Sequence, residues 1–435
     1  MMDRTKRLFS MRRFCARATL MLCAILLSMP ASAADQIGTL AAQINAAHKA
    51  RQYKAMQADL ERFLALRPGS PQGIYLMAIA RADRGDQKGA FAALGQLADM
   101  GLHFDIRKQA DFAPMRDAPE FASLEKRFAA NLAPVGRIQP AFQLKEKGFL
   151  PEGIAHDPAS GDFFVSSVHL RKIVRVHDGQ ASTFADRDDG LWGVFGMQVD
   201  ARRGVLWATS AALPQAQGFD PAQDGRTALF RFDLRDGTLL GKYAAPRDKA
   251  RHQFNDLTVA ADGSVYVADG DGGVYVLKPE AKSLKLLTPA GELHSAQGLA
   301  LSAEGRYLYV ADYGGGLYAY DLQAQQLLRV HAPVDVCVYG IDGLVRHGRD
   351  LVATQNAVQP QRVVRYKLDD SGLAIASAEV LAANNERLPE PTLLTTAGGA
   401  LYLVANSQWS RFDDQGRPLA GAVLHAPRIV KLALH

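Results

Sequence analysis

Polar side chains recur in this sequence immediately before short apolar runs that alternate with polar residues. In the stretch "FNDLTVAADGSVYVADGDGGVYVL", which begins at Phe254, Asn255 and Asp256 precede such a run and an Asp-Gly turn follows it. Comparable stretches begin at Leu150, Val194, Ala296, Ile341 and Glu390. The positions that correspond to Asn255 are Glu152, Met197, Gln297, Asp342 and Thr392.

The chemistry of this set is that of hard oxygen donors. Glu152 and Asp342 supply carboxylates, while Asn255 and Gln297 supply side-chain amides. Such donors suit a calcium-like or magnesium-like ion rather than zinc or copper. Each residue taken alone is better explained by turn chemistry, in which the side chain caps its own backbone. Their recurrence in register favours an ion site.

The elements that must position these residues repeat with them. Each of the six stretches contains a first strand, a Gly-containing turn and a second strand, at intervals of about forty to sixty residues, and in five of them the second strand contains an aromatic residue. This pattern, without intervening helices, predicts an all-β six-bladed β-propeller over residues 138–435. The inner strands of a propeller line its channel, so the residues before them gather at one mouth. Residues 138–144 and 429–434 both have strand character, and the sequence leaves open which of them closes the ring.

The preceding region, residues 34–132, has a helical texture. Apolar residues recur at three- and four-residue spacing, with breaks at the Arg-Pro-Gly-Ser-Pro segment 67–71 and at residues 84–86. It resembles a tetratricopeptide pair at Tyr53, Ala55, Leu66, Pro68, Ala78, Gly85 and Ala90. Such an all-α domain would offer a groove to a peptide or protein partner, or else pack on the propeller as a structural appendage. Residues 133–137 form the predicted linker.

The first 33 residues have the features of a secretory signal peptide. An apolar run from Ala18 to Met29 leads to the small-residue triplet Ala31-Ser32-Ala33. About a dozen apolar residues are too few to span a membrane. The sequence therefore predicts a periplasmic or secreted protein without membrane insertion after cleavage.

Charge and cysteine content exclude several function classes. Residues 1–33 contain six Lys or Arg and one Asp, so their removal takes the formal net charge of the chain from +5 to zero. Composition then gives no support for nucleic-acid binding. Outside the signal peptide only Cys337 remains, which excludes an intrachain disulfide and a cysteine-based zinc site.

Four short motifs give the propeller region a family resemblance. They are Pro151-Glu152-Gly153, Phe254-Asn255-Asp256, Gly298-Leu299-Ala300 and Asp342-Gly343. The region resembles the calcium-dependent lactonase propellers of the regucalcin, gluconolactonase and luciferin-regenerating enzyme group. The resemblance implies that Glu152 and Asp342 hold the metal, that Asn255 lies beside it, and that Asp342 also assists the attacking nucleophile. Gln297 stands where that family has Asn, and its extra methylene would require the ion to shift or be lost.

Residues near the predicted mouth complete the hypothesis. His252 and His294 precede the inner strands of blades three and four and would act as proton shuttles, or else are ordinary loop histidines. Trp192 and Tyr339 would wall a substrate pocket, although propeller packing also explains aromatics there. The first hypothesis is an exported metal-dependent hydrolase of lactones or small esters. The alternative is a non-catalytic propeller that binds a peptide, protein or sugar.

Overall fold

Six four-stranded antiparallel sheets make up most of the computed structural model, which describes residues 33–248 and 250–434. A helical region precedes them, so the predicted fold, a six-bladed β-propeller with an N-terminal all-α region, is confirmed. Apart from Ala33, the predicted signal peptide lies outside the described residues. None of the described helices combines the length and apolar character needed to cross a membrane.

In each of the first five blades, four strands that are consecutive in the sequence lie side by side from the channel outward. Blade one contains β2 (Pro151–His156), β3 (Phe163–Ser167), β4 (Lys172–His177) and β5 (Gln180–Ala185). Blade two contains β6 (Gly193–Asp200), β7 (Val205–Ala211), β8 (Thr227–Asp233) and β9 (Leu239–Ala244). Blade three contains β10 (Phe254–Val259), β11 (Val265–Asp269), β12 (Val274–Leu277) and β13 (Lys285–Leu286). Blade four contains β14 (Ala296–Leu301), β15 (Tyr307–Asp312), β16 (Gly316–Asp321) and β17 (Gln326–Arg329). Blade five contains β18 (Ile341–His347), β19 (Asp350–Gln355), β20 (Arg362–Leu368) and β21 (Ile375–Ala383).

Blade six closes the ring with strands from both ends of the propeller sequence. Its three inner strands are β22 (Leu394–Ala397), β23 (Ala400–Val404) and β24 (Arg428–Ala433), and its outermost strand is β1 (Gln139–Gln143). β1 pairs with β24 in antiparallel register, with Gln139 opposite Lys431 and Gln143 opposite Arg428. Both of the stretches that the sequence offered for closure are therefore used, one beside the other.

Aromatic residues of the second strands fill the space between blades. Trp207 of β7 packs in a cluster with Phe254 and Leu257 of blade three. Tyr266 of β11 lies in the cluster that contains Leu299 of blade four. Each blade thus covers the apolar face of its neighbour.

The helical region consists of α1 (Ala33–Lys49), α2 (Tyr53–Leu66), α3 (Pro71–Asp83), α4 (Gln87–Asp99) and α5 (Pro119–Ala130), with a 3₁₀ segment at Ala110–Met115. We call it the helical module. The predicted break before Pro71 is present, and the Ser70 hydroxyl caps α3 by accepting the Gly73 N–H at 3.3 Å. Met56 and Leu60 of α2 are fully buried, and their cluster extends into the propeller through Val338, Tyr339 and Tyr366 of blade five. The helical module and blades four and five therefore share one hydrophobic core.

Candidate functional site

The inner strands carry an irregularity at the residues that the sequence analysis singled out. In each of the first five blades the pairing of the inner strand with its neighbour shifts register shortly after the inner strand begins. The residues passed over are Glu152 and Gly153, Phe195 and Gly196, Asn255, Gln297 and Gly298, and Asp342 and Gly343. Such bulges re-aim side chains toward the channel mouth.

The blade-two position was predicted wrongly. Met197 resumes regular pairing, opposite Ala208, after the bulge, so it corresponds to Ile154 rather than to Glu152. Phe195 is the residue in register with Glu152, and it is buried. Blade two therefore contributes an aromatic ring where the other four bulges contribute a polar side chain.

The bulges bring neighbouring inner strands into close contact. A β-carbon added to Gly153 would stand 2.2 Å from the Phe195 carbonyl oxygen, and one added to Gly298 would stand 2.8 Å from the Asp342 carbonyl oxygen. Only glycine permits this approach of two backbones. The circle closes at blade six, where the Thr392 hydroxyl donates to the Glu152 carbonyl at 2.8 Å. These contacts place the bulges of neighbouring inner strands side by side, with Phe195 at the position predicted for Met197.

Hydroxyl groups of the second strands fix these bulges. Ser166 Oγ accepts the Gly153 N–H at 2.7 Å and donates to the Phe195 carbonyl of the next blade at 2.7 Å. Thr354 Oγ1 accepts the Gly343 N–H at 2.8 Å and donates to the Thr392 carbonyl at 2.5 Å. Each hydroxyl satisfies the backbone group that its bulge leaves unpaired.

The two carboxylates of the ring are buried and electrostatically coupled. Glu152 is 6% exposed and Asp342 is 8% exposed, and within the described part of the chain neither forms a salt bridge with a basic side chain. Burial and then the charge of Asp342 raise the pKa of Glu152 well above its ordinary value. Burial also raises the pKa of Asp342, to about 6, although the Asn356 amide opposes the shift. Among the described residues, no basic side chain therefore offsets the charge that these two carboxyl groups carry when they are ionised.

Each carboxylate has one oxygen fixed by a protein donor. The Trp409 indole N–H donates to Glu152 Oε2 at 2.7 Å, and Asn356 Nδ2 donates to Asp342 Oδ2 at 2.5 Å. The Tyr313 hydroxyl in turn donates to Asn356 Oδ1 at 2.7 Å. Burial and the charges of the two carboxylates raise the pKa of Tyr313, so its hydroxyl stays protonated as a donor. The remaining oxygens, Glu152 Oε1 and Asp342 Oδ1, receive no hydrogen bond from the described residues.

The two amides of the ring differ in how their oxygens are used. Gln297 Nε2 donates to the Ser295 hydroxyl at 3.1 Å, which leaves its carbonyl oxygen for a ligand. Asn255 Oδ1 already accepts a hydrogen bond from Gln253 Nε2 at 2.9 Å. Across residues 33–248 and 250–434, His, Cys, Asp and Glu side chains form no group of three or more that is arranged to hold a metal ion. A cation at this mouth would thus depend on the amide oxygens as well as on the two carboxylates.

Asp256 is a third carboxyl group, which the sequence indicated only as part of the Phe254-Asn255-Asp256 motif. It follows the blade-three bulge at a position where blades one, two, four and five have glycine, and Oδ2 accepts the Leu299 N–H at 3.4 Å. Burial raises its pKa to about 8. Asp256 lines a channel cavity of about 360 Å³, whose other walls are later residues of the inner strands such as Thr258 and Gln198. It therefore marks the start of the channel beyond the ring.

The two candidate histidines occupy different environments. His252 is 6% exposed, with Nδ1 2.6 Å from Asp269 Oδ2 and Nε2 3.1 Å from Asp248 Oδ1. Burial alone would lower the pKa of His252, but the two carboxylates together raise it. His294 is half-buried, and its backbone N–H donates to Asp312 Oδ2 at 3.3 Å. Both ring nitrogens of His252 thus contact carboxylates of the propeller, those of Asp269 and Asp248.

The two candidate aromatic residues contact other parts of the blades. The Trp192 indole N–H donates to Gln223 Oε1 at 2.6 Å, and Lys242 Nζ lies 4.1 Å from the centroid of its ring. The Tyr339 hydroxyl donates to the Pro68 carbonyl of the helical module at 2.9 Å. The predicted role of Trp192, Tyr339 and the two histidines in a substrate pocket stays a prediction. Trp409, Asn356 and Tyr313, which sequence reasoning missed, contact the ring directly or through one residue.

One family model matches a large part of the propeller. The family model described as the SMP-30/Gluconolactonase/LRE-like region matches residues 150–386, a span that contains Glu152, Asn255, Gln297 and Asp342. No curated protein sequence gave a significant match. Three similar solved structures are a calcium-binding regucalcin, a gluconolactonase and a putative glucose dehydrogenase.

The regucalcin, from Agrobacterium tumefaciens, has 18% identity over 69% of this chain and 96% of its own, with a TM-score of 0.48. The gluconolactonase, from Xanthomonas campestris, has 19% identity over 69% of this chain and 98% of its own, with a TM-score of 0.45. The putative oxidoreductase (glucose dehydrogenase), from Thermus thermophilus, has 16% identity over 68% of this chain and 99% of its own, with a TM-score of 0.48.

Proposed function

The chain belongs to the SMP-30/gluconolactonase/LRE-like family, and on that premise we propose that it is a calcium-dependent hydrolase of lactones or small esters. The observation that carries the proposal is the pair of buried carboxylates, Glu152 and Asp342, which meet at the channel mouth without a basic partner among the described residues. Buried charges in proteins are normally paired or bind a metal. A divalent cation would supply the missing positive charge.

The donor set fits such a cation. Glu152 Oε1, Asp342 Oδ1 and the Gln297 carbonyl oxygen would hold it, with Asn255 beside them, and all of these are hard oxygen ligands. Trp409 and Asn356 fix the second oxygen of each carboxylate, as outer-shell donors do in metal sites. When bound, a divalent cation polarises a carbonyl group and stabilises the oxyanion that develops on it.

The chain's own groups would handle the proton. Asp342 is held by Asn356 and, through it, by Tyr313, so its carboxylate has a fixed orientation. A general base must lie within hydrogen-bond reach of the water it activates and have a pKa near the working pH. Asp342 would accept a proton from water as the water oxygen bonds to the acyl carbon. It would then return that proton to the alkoxide released when the acyl C–O bond breaks.

Two features of the proposal come from the sequence. Export to the periplasm or the medium rests on residues 1–33, and partner binding rests on the tetratricopeptide-like pattern of residues 34–132. The contact of the helical module with blades four and five favours a role within the chain. A peptide or protein ligand would have to use the remaining surface of the module.

Calcium titration of the purified protein tests the proposal. We expect binding heat and a raised melting temperature for the parent protein, and loss of both in Glu152→Gln. Asp350→Asn, a change on the blade-five strand β19 at a carboxylate paired with Arg365, is the control that keeps calcium binding. A panel of sugar lactones and aryl esters, assayed with calcium and with a chelator, then measures hydrolysis. A parent protein that binds no calcium and hydrolyses none of the panel would refute the proposal in favour of a non-catalytic binding propeller.

A further inference from the structure

The segment that leads into each inner strand is held by a polar side chain at the end of the second strand of the same blade. In the first five blades these loop-holding residues are Ser167, Ser210, Asp269, Asp312 and Gln355. The lead-in residues whose backbone they bind are Phe149, Trp192, Gln253, Ser295 and Tyr339 respectively. Since the ring residues follow these segments within a few positions, the loop-holding residues fix where each ring side chain begins.

In blade four the loop-holding residue is tied to the helical module. Asp312 accepts the backbone N–H groups of His294 and Ser295, at 3.3 Å and 2.9 Å, just ahead of Gln297. Arg67, the C-cap residue that follows α2, places Nη1 3.6 Å from Asp312 Oδ2, and the two side chains are 2% and 0% exposed. The same Nη1 donates to the Tyr318 hydroxyl at 2.6 Å. A guanidinium of the module is thus buried against the carboxylate that holds the Gln297 loop.

In blade five the connection has the same form with a different chemistry. Gln355 Nε2 donates to the Tyr339 carbonyl at 2.7 Å, three residues ahead of Asp342. Arg362 orients that amide by donating to Gln355 Oε1 at 2.7 Å, and it also donates to the Met100 carbonyl of the helical module at 2.9 Å. The module therefore reaches the loop-holding residues of the two blades that supply Gln297 and Asp342.

The two connections meet at the ring. Tyr313 follows Asp312 in the sequence, Asn356 follows Gln355, and the hydrogen bond between Tyr313 and Asn356 leads to Asp342. By contrast, in the described part of the chain the side chains of Ser167, Ser210 and Asp269 form hydrogen bonds with propeller residues. The contacts of the helical module are therefore selective for one side of the ring.

We propose that the helical module sets the geometry of the candidate ligand site, and that Arg67 is a positioning residue acting through Asp312 on the Gln297 and Asp342 side of the ring. The inference rests on the proposed function for its link to a ligand. Arg67 and Asp312 should stay in contact, because separating them would leave each as an unpaired charge in the protein interior. The guanidinium suits this place because it serves the carboxylate, the Tyr318 hydroxyl and the Gly315 carbonyl at once.

Arg67→Lys and a matched variant, Arg329→Lys, test the inference. Arg329 donates to the same Gly315 carbonyl and Tyr318 hydroxyl and to the Leu66 carbonyl of the module, but it forms no ion pair with Asp312. Amide hydrogen exchange of the metal-free full chain is measured by mass spectrometry over residues 290–300. We expect Arg67→Lys to speed exchange there on the order of tenfold and to weaken calcium binding by about tenfold, as outer-shell substitutions do at metal sites. Arg329→Lys leaves both within about threefold of the parent.

Asp312→Asn gives a second measurement if Arg67→Lys yields no folded protein, because it keeps an acceptor for the Ser295 N–H but no longer attracts Arg67. It should speed the same exchange. Unchanged exchange over residues 290–300 in the folded variants, together with a lowered melting temperature, would overturn the inference and make the module a structural appendage. If the parent binds no calcium, the proposed function fails while the exchange result still decides the role of Arg67.

Discussion

Removing one charge from the coupled carboxylate pair should stabilise the protein when no cation is present. The substitution is Asp342→Asn, which keeps an oxygen acceptor for the Asn356 amide. Burial raises the pKa of Asp342 from 3.8 to about 6. The unfolded chain therefore loses this proton near pH 4 and the folded chain near pH 6, so stability falls as the pH rises through that window.

The magnitude follows from the size of the pKa rise. Each pH unit of difference corresponds to about 1.4 kcal/mol. At pH 8 the ionised Asp342 thus lowers the free energy of unfolding by about 3 kcal/mol, and at pH 4 by roughly 0.5 kcal/mol. The free energy of unfolding of Asp342→Asn should therefore exceed that of the parent protein by up to these amounts at the two pH values. With calcium at one hundred times its dissociation constant the parent alone gains about 2.7 kcal/mol, so most of the advantage of the variant disappears.

Urea denaturation in metal-free buffer at pH 4 and pH 8 measures these differences. Asp162→Asn is the matched control, because Asp162 is 1% exposed but accepts hydrogen bonds from Arg175 and His177. Burial alone would raise the pKa of Asp162, yet these partners lower it, so its stabilising effect is present at pH 8 and is lost as the pH falls. The control variant should therefore lose stability at pH 8. An Asp342→Asn protein that is less stable than the parent at pH 8 without metal, while the control behaves as expected, would refute the reasoning.

Two further predictions concern the groups around the pair. Gly298→Ala should lower the free energy of unfolding by about 1 to 3 kcal/mol, because the added β-carbon would stand 2.5 Å from the Leu344 nitrogen. Gly314→Ala adds its β-carbon in open space and should change the melting temperature little. Equal losses of melting temperature in the two variants would contradict this account of the bulge. Trp409→Phe removes the indole donor from Glu152 Oε2 and should weaken calcium binding on the order of tenfold in calorimetric titration. Trp192→Phe, which removes an indole that donates to Gln223 Oε1, should leave calcium binding unchanged. Equal calcium affinity in Trp409→Phe and the parent would show that Glu152 needs no orienting donor.

The repeating parts of the structure were predictable because each repeat carries its own signal. The alternation before and after each Gly turn gave six blades, and the segment before Pro71 gave a helix break. The register of the inner strand of blade two was predicted wrongly because the order of apolar residues in the sequence does not show where a bulge interrupts the strand. Phe195 and Met197 are both apolar, and only the pairing of Met197 with Ala208 separates them.

The supporting residues of the site were beyond sequence reasoning for a different reason. Trp409 contacts Glu152 from a 3₁₀ turn after β23, and nothing local in the sequence indicates that contact. Tyr339, a predicted pocket wall three residues before Asp342, donates its hydroxyl to the Pro68 carbonyl of the helical module, a contact that the sequence did not indicate. The sequence contained no sign that the helical module would cover that side of blade five. Contacts between distant segments depend on packing that no single stretch encodes.

The way in which blade six closes the ring also determines when the site can form. The hydrogen bond from Thr392 to Glu152 joins residues 240 positions apart. The strand β1 likewise pairs with β24, which lies near the other end of the propeller sequence. Contacts of such long range form late, because the chain entropy lost in closing the loop precedes any gain from the contact. During synthesis, Glu152 leaves the ribosome long before Trp409 and Thr392 exist. The protein would thus acquire its affinity for the cation in the last step of folding. The bound ion would stabilise the closed propeller and would not initiate its folding.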